Sequence, residues 1–367
     1  MSLSLEVALC KLHQRSHCVL VSSGTVGLTL TMAALGLHGK GVAIPAGVCL
    51  NVPLSVHYAG ATPIYCDIDP ETLGLSPATL SGEVGSFAAV LAVHAYGNVC
   101  DIEAIEDHCR SDGIPLIEDV AVAQGAWAAG RPAGSFGVAS VLSFGRGKII
   151  DVGGGAAVLT DDSALATEIR QAHAYLSERT DADGQRLDTF SSWHTRLYNQ
   201  NYGKDLDRHV ASFVEHALAL RDATLTSYSW NIDKVARELE GLAENLIRRR
   251  TLTAQFFNMV DARLPGVRCH FPPRESAPWR ANLFVPRHRD RVLRTLLAEG
   301  VRVSSWYPPA QDFLVPAWSG HTPIARRVGE EILNVWANAE ADAGYLDIVA
   351  GKIAALTGAV TRQSSVL

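Results

Sequence analysis

Several features that mark broad classes of protein are missing from this chain of 367 residues. No apolar stretch is long enough to cross a bilayer, and no cationic segment at the N-terminus leads into an apolar run. Membrane insertion and secretion are therefore not expected. The seven cysteines are odd in number and form no CxxC pair. This pattern favours reduced thiols in a cytoplasmic protein over a disulfide framework.

The sequence also has no excess of positive charge and no spaced metal ligands. Asp and Glu outnumber Lys and Arg by 38 to 32, which gives a net charge of −6 and argues against a nucleic-acid partner. The one basic run, Arg248-Arg249-Arg250, lies in a helical pattern and is expected to form a solvated face. The thirteen histidines include no HExxH or similar spacing, so we expect no metal site.

What the sequence does contain is a series of short, mostly apolar runs separated by helical patterns. These runs are residues 19–22, 42–45, 63–66, 88–93, 115–117, 140–144 and 156–159. Continuous apolar runs are typical of strands covered on both faces, so the pattern predicts an α/β fold with a mostly parallel sheet. We expect a large domain over residues 1–230 and a smaller C-terminal α/β domain over 231–367.

One polar segment, residues 177–207, interrupts this pattern and carries Trp193, Tyr198 and Tyr202. A surface excursion with a few packed aromatics and a lid over a substrate are equally compatible with it.

The first candidate site is the turn Ser23-Gly24-Thr25, which joins an apolar run to a predicted helix at residues 26–37. Backbone N–H groups at a helix N-terminus bind phosphate. Taken alone, an ordinary capped turn is the simpler interpretation. Two rival phosphate motifs are excluded, because no GxGxxG follows a strand and Leu142 and Ile149 break a P-loop around Lys148.

The second candidate site combines Asp119, at the end of one apolar run, with Lys148, which lies five residues after Ser143 and before Gly153-Gly154-Gly155. A carboxylate at a strand end needs a cationic partner or donors, and the protonated nitrogen of pyridoxal phosphate (PLP) supplies both. Lys148 would bond to the cofactor aldehyde, and Ser143 would bind its phosphate. The alternatives are a carboxylate bound only to backbone N–H groups and a surface lysine after a hairpin.

In their order and spacing, these motifs resemble the DegT-type (DegT/DnrJ/StrS) PLP-dependent sugar aminotransferase family, which has the aspartate aminotransferase fold. The similar stretches are Ser22-Ser23-Gly24-Thr25, Gly60-Ala61-Thr62-Pro63-Ile64-Tyr65-Cys66-Asp67-Ile68-Asp69-Pro70, Val93-His94-Ala95-Tyr96-Gly97, Ile117-Glu118-Asp119-Val120-Ala121, Gly134-Ser135-Phe136-Gly137, Ser143 through Lys148, and Gly153-Gly154-Gly155.

The resemblance implies a role for each matching position. Lys148 would form the covalent bond with PLP, and Asp119 would bind the pyridine nitrogen. The phosphate would be bound by Gly24, Thr25 and Ser143. Cys49 stands where the family often has an aromatic ring, so a thiol contact with the cofactor is expected there. The resemblance also implies a homodimer with its active sites at the subunit interface.

Three departures from the family pattern bear on the substrate rather than on the cofactor. Val122 stands where Gln or His is common, residues 224–227 replace an Asn-Tyr-Arg-Met-like segment, and most of the N-terminal arm is missing. The resemblance implies transfer of an amino group from an amino acid, glutamate, to a keto sugar linked to a nucleotide. Two alternatives stay open: another PLP reaction on an amino acid (decarboxylation, elimination or condensation), and a PLP-fold protein that binds without catalysis. For His94, a core position and a substrate contact are equally compatible with the sequence.

Overall fold

A computed structural model describes residues 4–81, 86–201, 207–273, 275–315, 320–338 and 341–361. Its helices are α1 Leu5–His13, α2 Gly24–Ala34, α3 Asn51–Tyr58, α4 Pro77–Leu80, α5 Ile102–Asp112, α6 Ser163–Ala174, α7 Asp181–Asn201, α8 Asp207–Leu218, α9 Arg221–Thr224, α10 Ile232–Glu240, α11 Leu242–Arg263, α12 Arg289–Ala298, α13 Gln311–Leu314, α14 Pro323–Glu331 and α15 Ala343–Thr361. Its strands are β1 His17–Val21, β2 Gly41–Pro45, β3 Thr62–Cys66, β4 Ala89–Val93, β5 Leu116–Asp119, β6 Trp127–Ala128, β7 Arg131–Pro132, β8 Ala139–Ser143, β9 Ala156–Thr160, β10 Arg268–Cys269, β11 Ala281–Phe284, β12 Val303–Ser304 and β13 Ile332–Val335.

A seven-stranded sheet in the order β1-β9-β8-β5-β4-β2-β3 forms the centre of the fold. The pairs from β8 to β3 are parallel, whereas β9 runs antiparallel to both of its neighbours. Each of the seven apolar runs forms one of these strands, and every residue of β4, β8 and β9 is buried. The predicted α/β fold with a mostly parallel sheet is confirmed.

The parallel pairing sets which side chains meet at the carboxyl edge of the sheet. Asp119, the last residue of β5, is level with Val93 of β4 and Val141 of β8. Strand β8 ends two residues later at Ser143, at the same edge. Ligands of open α/β sheets bind at this edge.

Helix α2 packs closely on the sheet because a glycine faces the strands. A Cβ at Gly27 would lie 3.0 Å from a Val141 methyl carbon and 3.2 Å from one of Val158. Seven consecutive residues of α2, from Val26 to Met32, are buried, as expected of a helix that is apolar on most sides. This contact places the N-terminus of α2 beside the end of β8.

A second, antiparallel sheet has the order β10-β11-β13-β12 and packs against α11 and α12, which in turn contact α15. Its apolar core is a separate cluster that begins at Leu252 and ends at Ile353. Every residue of β11 and β12 is buried. The exact division into domains at residues 230 and 231 stays a prediction.

The polar segment 177–207 consists mainly of the 21-residue helix α7. Its mostly exposed surface and packed aromatic rings favour the first of the two expectations, a surface excursion with a few packed aromatics. Phe190 and Trp193 of this helix pack against Phe213 of α8, with ring centroids 5.1 and 5.3 Å apart. Tyr202 lies outside the described residues.

All seven cysteines are free thiols. Among the described helices, none has the length and apolar character needed to cross a membrane.

Candidate active site

Lys148 lies on the connection between β8 and β9, and several side chains hold that connection in place. The Gln124 amide nitrogen donates to the carbonyl of Ser143 at 2.8 Å, and its oxygen accepts from the backbone N–H of Ile150 at 3.4 Å. The Asp151 carboxylate accepts from the N–H groups of Gly147 and Gly153 at 2.7 and 3.0 Å. Lys148 therefore lies on a loop whose backbone is fixed by side-chain hydrogen bonds.

The glycines after Lys148 allow two aromatic rings to approach the backbone. Gly155 has a φ of +86°, and a Cβ there would lie 2.2 Å from a ring carbon of Trp230. At Gly154 a Cβ would lie 3.1 Å from the Tyr228 ring. Tyr228 and Trp230 therefore lie directly against the loop that carries Lys148.

Asp119, Lys148 and Cys49 are electrostatically coupled. Burial raises the pKa of the Asp119 carboxyl, while Lys148, the N–H of Ala121 and His94 act in the opposite direction. Burial likewise raises the pKa of the Cys49 thiol, and Lys148 is the main influence that lowers it. Three of the predicted site residues therefore lie near one another at the carboxyl edge of the sheet.

One carboxylate oxygen of Asp119 already accepts a hydrogen bond from the protein. Its Oδ1 accepts from the Ala121 N–H at 2.8 Å, a local bond that fixes the carboxylate at the end of β5. Asp119 is only 6% exposed, and its pKa is raised, so the charged form lacks full compensation by the protein. The carboxylate can accept a further charged donor.

The predicted phosphate residues also lie together. Ser23 caps α2, with its Oγ accepting from the Val26 N–H at 3.2 Å, and Gly24 and Thr25 form the first turn. A Cβ at Gly24 would lie 3.3 Å from the Ser143 Cβ and 3.4 Å from its Oγ. The Ser143 hydroxyl thus lies beside the N-terminus of an eleven-residue helix, an arrangement suited to an anion.

His94 proves to be a core residue. It is fully buried, and its Nε2 lies 2.9 Å from Oε2 of Glu118. Although burial alone lowers the pKa of His94, Cys100 and Glu118 raise it to about 10. Glu118 itself accepts from the N–H groups of Gly134 and Phe136 at 2.8 and 2.7 Å. The His94–Glu118 pair lies in the protein core, which favours the core position over a substrate contact for His94.

The second sheet contributes residues that the sequence analysis did not find. The Trp279 indole nitrogen donates to the Gly147 carbonyl at 2.5 Å, next to Lys148. The Tyr307 ring stacks on Trp279 with centroids 6.1 Å apart, and Cys49, Arg280 and Asp119 all influence its pKa, which burial raises. No local pattern marks these residues, because Trp279 and Gly147 are 132 positions apart in the chain.

The basic run on α11 is not the solvated face that we expected. Arg249 is only 5% exposed, and its Nη1 donates to the carbonyl of Trp279 at 3.0 Å. Arg250 donates through Nε to the Ser276 carbonyl at 3.0 Å. The prediction is wrong because these guanidinium groups satisfy backbone carbonyls of the loop that carries Trp279.

Two of the departures from the family pattern can be located. Val122 is buried near the end of β5, with 5% of its surface exposed. In segment 224–227, the Thr226 carbonyl accepts from the Ser22 hydroxyl at 2.6 Å, so the segment packs against the end of its own chain's β1. Within the described ranges, no cluster of His, Cys, Asp and Glu has the arrangement of a metal site.

Comparison with known proteins connects this site to one enzyme family. The family model described as the DegT/DnrJ/EryC1/StrS aminotransferase family matches residues 2–220. L-glutamine:scyllo-inosose aminotransferase of Streptomyces griseus is 38% identical over 151 residues, which are 41% of this chain and 36% of that protein. The erythromycin biosynthesis sensory transduction protein EryC1 of Saccharopolyspora erythraea is 30% identical over 337 residues, 88% of this chain and 81% of that one.

Solved structures share the whole fold. The crystal structure of DesI in the presence of its TDP-sugar product has a TM-score of 0.74 and 24% sequence identity, and the match covers 98% of this chain and 86% of that one. The chain has the fold of these aminotransferases. In the first curated relatives, by contrast, the similar region spans only 36% to 42% of their own length.

Proposed function

Because the chain belongs to the DegT/DnrJ/EryC1/StrS aminotransferase family, we propose that it is a PLP-dependent aminotransferase that moves an amino group from an amino acid to a keto sugar. The observation that carries the proposal is the coupling of Lys148 with Asp119 and Cys49 at the carboxyl edge of the sheet. The phosphate-binding turn of α2 lies at the same edge.

The residues present fit PLP in charge and in shape. Asp119 is a buried carboxylate whose negative charge is not fully balanced by the surrounding protein groups. A protonated pyridine nitrogen would supply the missing positive charge and a hydrogen-bond donor. Gly24 leaves room beside Ser143 that a Cβ would fill, which suits a phosphate held by the first turn of α2 and the Ser143 hydroxyl. Lys148 and Cys49 lie near Asp119. When bound, PLP supplies an aldehyde that captures amines and a ring that accepts an electron pair.

The proposed roles of the side chains follow from their positions. Gly24, Thr25 and Ser143 bind the phosphate, and Cys49 contacts the cofactor with its thiol. Asp119 would hold a proton on the pyridine nitrogen, and Lys148 Nζ is the amine that would bond to the cofactor aldehyde. As a free amine, Lys148 would remove the proton from the α-carbon of the amino donor.

For the substrates, we propose glutamate as the donor and a nucleotide-linked keto sugar as the acceptor. The name of the Streptomyces griseus relative, with L-glutamine and scyllo-inosose, supports a second pair to be tested. A cytoplasmic homodimer with its sites at the subunit interface completes the proposal.

The decisive experiment compares Lys148→Ala with Lys234→Ala. Lys234 is a suitable control because it is another lysine at the same loop, donating to the Asp151 carbonyl at 3.2 Å from an exposed position. Borohydride reduction, tryptic digestion and mass spectrometry should find the cofactor on the peptide with Lys148 in the wild type and in Lys234→Ala. Lys148→Ala should carry no adduct and show no turnover. An adduct on another peptide, or none in the wild type, would end the proposal.

The reaction class is tested by the products of a single turnover with the amino acid alone. A transaminase releases the matching keto acid and retains the amino group. Carbon dioxide or a side-chain fragment would instead indicate a decarboxylase or a lyase. A protein that holds the cofactor but yields no product with glutamate or glutamine would be a binding protein.

A further inference from the structure

Arg280 is a buried cation for which the described part of the chain offers no carboxylate partner. It directly precedes β11, is 8% exposed and donates one hydrogen bond, from Nη1 to the Ser304 hydroxyl oxygen at 2.6 Å. Ser304 in turn donates to the Asn334 side-chain oxygen at 2.8 Å. A buried charged group normally has a counter-charge or hydrogen-bond partners for most of its polar atoms.

Two tryptophans cover the flat faces of this guanidinium. Its central carbon lies 3.7 Å from the centroid of a Trp279 ring and 3.4 Å from that of a Trp336 ring. Cation–π contacts of this kind orient a guanidinium while leaving its in-plane N–H groups unused. Those in-plane groups are the ones that bind a carboxylate with a pair of parallel hydrogen bonds.

The unused end of Arg280 lies next to the connection between β8 and β9, residues 144–155, which carries Lys148 and is called the lysine loop below. A Cβ at Gly147 would be 3.8 Å from Nη2, and Gly147 directly precedes Lys148. Within the described residues Nη2 has no hydrogen-bond partner. Arg249 offers a contrast, because its Nε and Nη1 donate to Asn245 at 2.8 Å and to the Trp279 carbonyl at 3.0 Å. Arg249 supports the loop, whereas Arg280 retains donors for a ligand.

We propose that Arg280 binds the α-carboxylate of the amino acid donor, and of the keto acid that the donor becomes. The inference rests on the proposed function. An amino donor takes the place of the Lys148 amine at the cofactor, and its carboxylate is one bond from the carbon that carries the nitrogen. A cation beside Gly147 is therefore within reach of that carboxylate. Burial lowers the pKa of Arg280 to about 9 because it disfavours the charged form. An anionic ligand would stabilise that charged form.

The first experiment measures binding rather than turnover. The intrinsic tryptophan fluorescence of the holoenzyme is titrated with 2-oxoglutarate, the keto acid of glutamate, because Trp279 and Trp336 flank the proposed ligand. Arg280→Gln should raise the dissociation constant about 10- to 100-fold, the loss expected for charge-assisted hydrogen bonds. The dissociation constant of Arg280→Lys should lie in between, because a lysine keeps the charge but cannot donate two parallel hydrogen bonds to a carboxylate. Arg268→Gln is the matched control, because Arg268 also lies over a ring, that of Phe284, at the far end of β11.

The second experiment compares glutamate with propylamine, which has no carboxylate, in the reaction that bleaches the visible absorbance of the bound cofactor. Arg280→Gln should raise the glutamate concentration at half-maximal rate about 10-fold or more, and the propylamine reaction should stay within twofold of the wild type. A merely structural role for Arg280 would slow both amines alike.

The possible outcomes distinguish a failure of this inference from a failure of the proposed function. Unchanged affinity for 2-oxoglutarate in an Arg280→Gln protein that retains its cofactor overturns this inference and leaves the proposed function standing. Weaker binding of a nucleoside diphosphate, with 2-oxoglutarate unaffected, assigns Arg280 to the acceptor and also overturns it. A wild type without cofactor on Lys148 overturns both.

Should Arg280→Gln not fold, Arg280→Lys and Ser304→Ala decide the question. Ser304→Ala keeps the charge and removes only the hydrogen bond that orients it, so about a threefold weaker affinity is expected. Unchanged affinity in both variants would likewise overturn the inference.

Discussion

At the scale of single residues, the adjacent carboxylates Glu118 and Asp119 have separate roles because successive side chains of a strand point to opposite faces. Glu118 accepts from Gly134, Phe136 and His94 inside the protein. Asp119 uses one oxygen for Ala121 and is coupled to Lys148. The sequence presents two neighbouring acids, and we predicted Asp119 as the site residue because it ends the apolar run.

We predict opposite outcomes for the two isosteric changes. Asp119→Asn should lower the transamination rate about 100-fold or more, because it removes a fixed charge that acts on the reacting group, with little change in the unfolding temperature. Glu118→Gln should instead cost about 3 to 5 kcal/mol of stability, because it breaks a buried charge pair. Steady-state kinetics and urea unfolding of both variants test this. Equal effects of the two changes on stability would contradict it.

His94 gives stability a specific pH dependence. In the folded protein Cys100 and Glu118 outweigh the effect of burial and raise its pKa to about 10, above the value near 6.5 of an unfolded histidine. A raised pKa stabilises the fold fully below about pH 6.5, and this contribution is lost as the pH rises through about 10. The stability difference between the wild type and His94→Gln should therefore shrink from pH 6 to pH 10.5.

Thermal unfolding across that range measures this difference, with His108→Gln as the control. His108 is partly exposed, and its Nε2 lies 3.8 Å from Asp112. A difference between the wild type and His94→Gln that stays constant with pH would show that the buried pair does not titrate as argued.

At the scale of elements, the strands of the large sheet could be predicted and several other elements could not. A strand buried on both faces, such as β4, is apolar at every position, so the sequence marks it without reference to its neighbours. Strand β12 has two residues, too few to show a period. Helix α7 carries Asp and Gly in its first turn and is mostly polar. Its few apolar residues include Phe190 and Trp193, whose packing against α8 supports the helix.

The lysine loop allows a matched pair of glycine substitutions. Gly153 and Gly155 have φ values of +84° and +86°, so an alanine at either is strained by about 1 to 2 kcal/mol. Nothing lies within 4 Å of a Cβ at Gly153, whereas at Gly155 it meets the Trp230 ring at 2.2 Å. We expect Gly155→Ala to cost about 1 to 3 kcal/mol more than Gly153→Ala. Urea denaturation of the two variants, compared with the wild type, tests this, and equal losses would mean that Trp230 moves away freely.

At the scale of the whole molecule, the sequence analysis found the half of the site that lies on the large sheet. Gly24, Cys49, Asp119, Ser143 and Lys148 each follow a strand, and the ends of parallel strands converge by topology. The half that comes from the second sheet, with Trp279, Arg280 and Tyr307, depends on contacts between distant parts of the chain. Neither apolar periodicity nor local spacing carries information about such contacts.

The Trp279 contact couples the second sheet to the lysine loop, so cofactor binding and the stability of the two sheets should be linked. Any ligand that binds only the folded state stabilises it by an amount that grows with the logarithm of its affinity. Trp279→Phe keeps a large ring but removes the hydrogen bond to the Gly147 carbonyl, which is worth about 0.5 to 1.5 kcal/mol. The cofactor should then dissociate about three- to tenfold more readily. The rise in unfolding temperature on adding PLP should shrink accordingly, whereas Trp127→Phe, at a ring 39% exposed on β6, should leave it unchanged. Calorimetry of each protein with and without PLP measures the effect. A full cofactor-induced shift in Trp279→Phe would mean that the lysine loop holds its shape without the second sheet.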